Sequence, residues 1–346
     1  MNREAFAIGG ETVAPGTRRT VHIPVSTLSD HTPVNLSAHV VHGAAPGPVM
    51  FVSAAIHGDE VIGVEIVRRL LRAPNLDGMA GTLLAVPVVN AFGFLNHARY
   101  LPDRRDLNRC FPGSPRGSLA ARLADRFLTD IVARAQYGID LHSAAIHRTN
   151  LPQVRVSPAR PDTMRLAEAF GAPVVVRSKL RDGSLRQAAR ERGVDVLLYE
   201  AGEGLRFDEF SARVGVAGIL RVMAALGMVD ADGVEAPASR PILSQGSAWV
   251  RSPAGGLLRA FVATGDAVEA DAVLGIVSDP FGEVEEEVRA RHAGVVIGRT
   301  NLPVVNEGDG LFHIAEVRRS DDPAETLEAL SAQLEDDPLF DEDEII

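Results

Sequence analysis

The stretch Pro48-Val49-Met50-Phe51-Val52-Ser53-Ala54-Ala55-Ile56-His57-Gly58-Asp59-Glu60 decides how this chain folds. Its first nine residues are almost wholly apolar, the texture of a strand buried on both faces of a parallel sheet. From Val61 to Leu71, the residues Val61, Val64, Ile66, Val67, Leu70 and Leu71 recur at helical spacing and can share one face. A buried strand that feeds an amphipathic helix is the repeating unit of an α/β sheet. A histidine and a glutamate, three positions apart, sit where the strand gives way to the helix. Open α/β sheets carry their chemistry at such carboxyl ends.

The alternation continues outward. Gly81–Val89 and Tyr137–Leu141 read as strands, with Leu119–Ala135 as a helix before the second. Met164–Phe170, Leu185–Arg192 and Val214–Leu226 read as helices, and Val174–Val176 and Val194–Tyr199 as strands. This predicts an α/β layer over residues 1–235, with a strand-rich lead-in at 1–45. Residues 229–241 are small, polar and proline-bearing, and read as a linker. Beyond them, short strands separated by glycine turns fill 242–318. The series Ala254-Gly255, Thr264-Gly265-Asp266, Leu274-Gly275-Ile276 is matched in kind and order by Ala293-Gly294, Glu307-Gly308-Asp309, Phe312-His313-Ile314. Two such half-units predict a small β-barrel or sandwich. Residues 319–346 form an acidic tail, expected to be solvated and partly disordered.

Composition narrows the function. The 346 residues are 46% hydrophobic, enough for a sizeable core. The net charge of -11 is concentrated in the tail: residues 321–346 carry eleven acids and no base, and the remaining chain is balanced. A balanced body lacks the basic face that nucleic acid requires. No apolar run reaches the roughly 18 residues of a membrane span. Residues 1–16 lack the basic start and apolar stretch of a secretion signal. Cys110 is the single cysteine, which excludes an intrachain disulfide. These features predict a cytoplasmic protein with neither nucleic acid nor membrane as partner.

Three strand ends supply chemistry. His57 and Glu60 follow the first strand, and His142 follows Ile139-Asp140-Leu141. Two imidazoles and a carboxylate, with a fourth position open to water, are the ligand set of a hydrolytic zinc site. The expectation is one Zn2+ per chain, held by His57, Glu60 and His142. At a third strand end, Tyr199-Glu200-Ala201-Gly202-Glu203 offers a general base. Glu200 is favoured because it directly follows the apolar run, and Glu203 is the alternative. The run Arg104-Arg105-Asp106-Leu107-Asn108-Arg109 suits a substrate carboxylate, through guanidinium forks and a directional amide.

In this order, H-G-D-E, D-L-N-R-C-F-P-G, D-L-H-S and Y-E-A-G resemble the succinylglutamate desuccinylase/aspartoacylase family, a branch of the zinc-carboxypeptidase fold. The likeness runs over roughly residues 45–230. It implies a mixed sheet flanked by helices and zinc-dependent hydrolysis of the amide bond of an N-acyl amino acid. It implies zinc ligation by His57, Glu60 and His142, and catalysis by Glu200. Asn108 and Arg109, joined by Arg105 from the same basic run, would bind the substrate carboxylate, and Asp106 would orient a ligand histidine. An upstream arginine would polarise the scissile carbonyl: Arg99 is favoured over Arg104 and Arg105. Acyl specificity does not transfer with the resemblance. The alternatives are a zinc carboxypeptidase for short peptides and a non-catalytic metal-binding scaffold. Assembly into a homo-oligomer is compatible with either enzyme. The unit at 242–318 resembles a lipoyl/biotinyl-type β fold. Such carriers modify a lysine in a hairpin, and the corresponding turn, Ser278–Gly282, has none; Lys179 is the chain's only lysine. A carrier role is thereby excluded, leaving a role in packing beside the active-site mouth.

Overall fold

Ala45–Ala54, the strand read from the opening stretch, lies at the centre of the sheet, between Ala80–Val86 and Tyr137–His142, and is parallel to both. Asp195–Gly202 extends the parallel set beyond Tyr137–His142. The computed structural model in which these strands are seen describes residues 3–157, 161–317 and 323–335. The long hairpin Thr17–Thr27 and Pro33–His42 closes one side of the sheet, antiparallel to Ala80–Val86. This is the form taken by the strand-rich lead-in.

The helices cover both faces. Ile62–Leu70, Pro161–Phe170 and Glu209–Ala225 pack over a core that includes Met50, Val52, Ile66, Leu141, Phe170 and Tyr199. Leu119–Asp130 and Leu185–Glu191 cover the other face, over Phe51, Leu84, Leu107 and Phe127. Phe51 meets Phe127 edge to face, with ring centroids 6.0 Å apart. The expected helices and strands are present, with ends displaced by a few residues.

Several elements depart from expectation. Arg148–Val156 is a strand, antiparallel to Asp195–Gly202, that the alternation did not reveal. Asn150, Pro152, Gln153 and Arg155 interrupt its apolar pattern; Asn150 and Arg155 line the cavity, and Gln153 donates to the carbonyl of Ile297 on a neighbouring strand. The C-terminal strands also continue the same sheet. Gly294–Thr300 pairs with Arg148–Val156, and Gly310–Glu316 and Ser247–Arg251 follow it outward. Ile242–Ser244 pairs with Val174–Arg177. A second sheet of Glu285–Arg289, Val273–Ser278, Gly256–Ala260 and Val304–Val305 completes an all-β C-terminal region with its own core, including Leu258, Leu274, Val288 and Phe312.

The acidic tail is not wholly a solvated appendage. Pro323–Glu335 is a helix, and its Leu330 and Leu334 are buried against the first core. Arg213 donates to the carbonyl of Leu334 at 2.7 Å. Residues 318–322 and 336–346 lie outside the described residues.

Candidate active site

His57 emerges one turn beyond Ala45–Ala54. Ala55, between them, has φ +50, a conformation that costs a non-glycine residue about 1–3 kcal/mol. The amides of Val89 and Asn90 hold this corner by donating to the carbonyls of Ala54 and Ala55 at 3.0 and 2.9 Å. Gly58 is required for close approach. A Cβ there would stand 1.9 Å from the carbonyl carbon of Gly93.

The three side chains expected to hold a metal converge. His57 Nδ1 lies 2.7 Å from Glu60 Oε1, and His142 Nδ1 lies 2.7 Å from Glu60 Oε2. All three residues are buried, and their potential ligand atoms lie within 4.8 Å of one another. The far nitrogens are engaged as well: His57 Nε2 meets Asp106 Oδ1 at 3.1 Å, and His142 Nε2 meets Asp140 Oδ2 at 2.7 Å. Carboxylates behind both imidazoles fix which nitrogen faces the cluster, the usual support for a metal-bound histidine. The donor set therefore fits a divalent cation.

The electrostatics agree. Burial alone would depress both imidazoles. Glu60 with Asp106 for His57, and Asp140 with Glu60 for His142, overcome it and leave both pKa values raised. Burial opposes the Glu60 carboxylate too, yet the two histidines hold it far below the usual range. Positive charge is thus favoured at the centre of the cluster, which suits a cation.

Around the cluster opens a cavity of about 540 Å3. Arg99, Asn108, Arg109 and Glu200 line it, together with the three ligand candidates. Arg99 reaches Glu60 Oε1 at 3.3 Å and Asp106 Oδ2 at 3.1 Å. Asp106 also accepts from the amide of Asn108 at 2.9 Å, fixing the loop that presents Asn108 and Arg109. Glu200 is register partner to His142 on the adjacent strand. Its Oε2 accepts from Asn150 Nδ2 at 2.8 Å, and Arg155 lies 3.5 Å from Oε1. The alternative, Glu203, is occupied elsewhere, accepting from the amide of His147 at 2.8 Å and from Asn301 Nδ2 at 2.9 Å.

Arg105 is not brought to this cavity. Its side chain is 59% exposed and faces Asp103 at 3.7 Å. Conversely, the site and its surroundings include residues that the sequence did not announce. Asp140, fully buried, accepts from His142 and from Ser53 Oγ at 2.8 Å. The D-x-H spacing on one strand was its signal, since alternate residues share a face. Arg148, Arg155, Lys179, Arg181 and Arg186 add positive charge to Arg99 and Arg109. Burial, followed by the nearby Arg155, pushes the Arg186 guanidinium down to about 10. The C-terminal region supplies Ser247, Trp249 and His313. Trp249 and His313 stack at 4.7 Å, and Arg148 lies over the indole at 5.0 Å. No local sequence signal announced these, because they converge from separate strands.

Known proteins resemble this chain in sequence and fold. Residues 46–226 match the family model of the succinylglutamate desuccinylase/aspartoacylase catalytic domain. The N-alpha-acetyl-L-2,4-diaminobutyric acid deacetylase of Halomonas elongata is 30% identical over 287 residues, 79% of this chain and 84% of that protein. The product-bound structure of the ectoine utilization protein EutE (DoeB) from Ruegeria pomeroyi has a TM-score of 0.77 at 25% identity, covering 86% of this chain and 95% of that one. A succinylglutamate desuccinylase/aspartoacylase from Rhodobacter sphaeroides gives 0.77 at 24% identity, covering 88% and 96%. Fold and site together define the class: a deacylase-type hydrolase with a His–Glu–His cluster suited to a metal ion at its strand ends. The chain belongs to the succinylglutamate desuccinylase/aspartoacylase family.

Proposed function

We propose that this protein is a zinc-dependent deacylase that hydrolyses the amide bond of a small N-acyl amino acid, releasing a carboxylate and a free amino acid. One observation carries the reading: a cavity of about 540 Å3, the scale of a small-molecule site, holds the His57–Glu60–His142 cluster, Glu200 and a surplus of cationic side chains. Two imidazoles and a carboxylate suit zinc, one ion per chain. Bound there, it would supply Lewis-acid polarisation of the scissile carbonyl and a more acidic water.

The chain's own groups account for the rest. Asn108 and Arg109 bind the substrate carboxylate, with Arg186 adding positive charge in the same cavity. Arg105, turned toward Asp103, has no part in this. We assign to Arg99, which lines the cavity and is tied to Asp106 and Glu60, the role of steadying the carbonyl oxygen as its charge grows. Glu200 takes a proton from the attacking water as the carbon–oxygen bond forms. It returns that proton to the nitrogen as the carbon–nitrogen bond breaks. Asp106 and Asp140 orient the two histidines. We assign residues 1–235 to this chemistry and 242–318 to the cavity's outer wall, through Trp249 and His313. Among the described residues no helix is long and apolar enough to cross a membrane, and with the single Cys110 this favours a cytoplasmic setting.

The test is a panel of acetyl- and succinyl-amino acids set against dipeptides, using zinc-reconstituted protein. Turnover of acylated amino acids is expected; turnover of dipeptides alone would turn the reading to a carboxypeptidase. Glu200→Gln should retain the metal and lose at least about 100-fold in kcat. Full activity in that variant would remove the assignment of the base.

A further inference from the structure

We propose that Asn150 is a positioning residue for Glu200, and that Gly298, on a C-terminal strand, supplies the clearance that lets it act. The inference rests on Glu200 being the base.

Asn150 is buried and lines the cavity. Its Nδ2 donates to Glu200 Oε2 at 2.8 Å. Arg155, on the same strand, lies 3.5 Å from Oε1. The two carboxylate oxygens are thus approached by two side chains of Arg148–Val156, which pairs antiparallel with the strand of Glu200. The register of that pairing shifts between Glu200 and Gly202, opposite Gln153 and Asn150. Such bulges beside active sites re-aim side chains. Here the shift leaves Glu200 reached from the side by an amide two strands from the cluster histidine His142.

The other end of the amide faces the C-terminal region. Asn150 pairs with Gly298 on Gly294–Thr300. A Cβ on Gly298 would stand 2.7 Å from Asn150 Oδ1, with the Thr149 carbonyl oxygen at 3.3 Å and His313 Cβ at 3.5 Å. Gly298 is not among the residues with positive φ, so no backbone conformation demands glycine there. Space for the amide is what it provides. The atom a methyl group would strike is the end of a flexible side chain. The added bulk is therefore relieved by turning the amide, and that turn takes Nδ2 off Glu200. The C-terminal region thereby reaches the base through one missing side chain.

A base held by a neutral donor keeps a single orientation toward the attacking water. Its loss acts on the chemical step rather than on substrate binding, which uses Asn108 and Arg109. The experiment measures kcat, KM, bound zinc and thermal unfolding on zinc-reconstituted, full-length Asn150→Ala, Gly298→Ala and the double variant, each also in a Glu200→Gln background. Asn150→Ala is expected to lower kcat about 10-fold, within the up to about 100-fold that misplacing a group can cost. KM should stay within about twofold and zinc content should be unchanged. Gly298→Ala should fold and show the same split. The double variant should be no slower than Asn150→Ala, because both changes remove one interaction. In the Glu200→Gln background neither change should matter. Unchanged kcat in Asn150→Ala, multiplying losses in the double variant, or a Gly298→Ala protein that cannot fold would each overturn the proposal. A fully active Glu200→Gln would instead remove the base itself, a result distinct from the others.

Discussion

Replacing Asp140 with asparagine should loosen the metal without unfolding the protein. Asp140 is fully buried, and both its oxygens are engaged: Oδ2 by His142 Nε2 at 2.7 Å and Oδ1 by Ser53 Oγ at 2.8 Å. Asparagine keeps the shape but loses the charge, and only one of its two ends can accept. If the amide oxygen serves Ser53, an NH2 group faces the imidazole N–H, and donor opposes donor. If it turns to His142, the NH2 group faces Ser53 Oγ, which must accept where it had donated, and the imidazole N–H meets a neutral oxygen in place of a carboxylate. A hydrogen bond to a charged group is worth about 1.5–3 kcal/mol net. Loss of a partner behind a metal-bound histidine weakens metal binding about 10–100-fold, equivalent to about 1.4–2.7 kcal/mol. The two figures agree. The assay is competition for zinc against a chromophoric chelator, with circular dichroism to establish that the variant is folded. A folded Asp140→Asn with an affinity within twofold of the parent would refute the reasoning that Asp140 holds His142 in its ligating tautomer.

Two further outcomes follow from the same geometry. Arg109→Ala should raise KM for an acylated amino acid by about 10-fold or more, the scale of a lost charge-assisted bond, while Arg105→Ala, whose side chain faces Asp103, should stay within about twofold; steady-state kinetics separates them. Burial, reinforced by the charge of Arg155, holds His313 down to about 3, against an ordinary value of 6.5. Protonation of that imidazole favours the unfolded chain, so its contribution is complete above about pH 6.5 and is lost as the pH falls toward 3. His313→Gln should therefore flatten the acid loss of stability, measured by urea unfolding at several pH values.

Much of the site was legible because three of its residues follow apolar strands directly. His57, His142 and Glu200 announce themselves by position, and the sheet does bring those strand ends together. Asp140 escaped notice because it lies inside an apolar strand, where a carboxylate reads as an interruption rather than a partner to the histidine two residues on. Arg105 and Arg109 look alike in sequence; only the turn after Asp106 sends one to the cavity and the other to Asp103. Asn150, Gln153 and Arg155 hid the strand Arg148–Val156, because its polar side chains face a cavity and its neighbours instead of oil. Trp249 and His313 face each other across two paired strands, a nearness that no local pattern encodes. In the tail, eleven acids masked Leu330 and Leu334, which anchor a helix on the body of the protein.

The central claim is that His57, Glu60 and His142 share one divalent cation. Anomalous diffraction at the zinc edge, from crystals of zinc-loaded protein, tests it most directly. One strong peak per chain is expected among His57 Nδ1, His142 Nδ1 and the Glu60 carboxylate, absent in His142→Ala. A peak held by other residues, or none at these three, would contradict it.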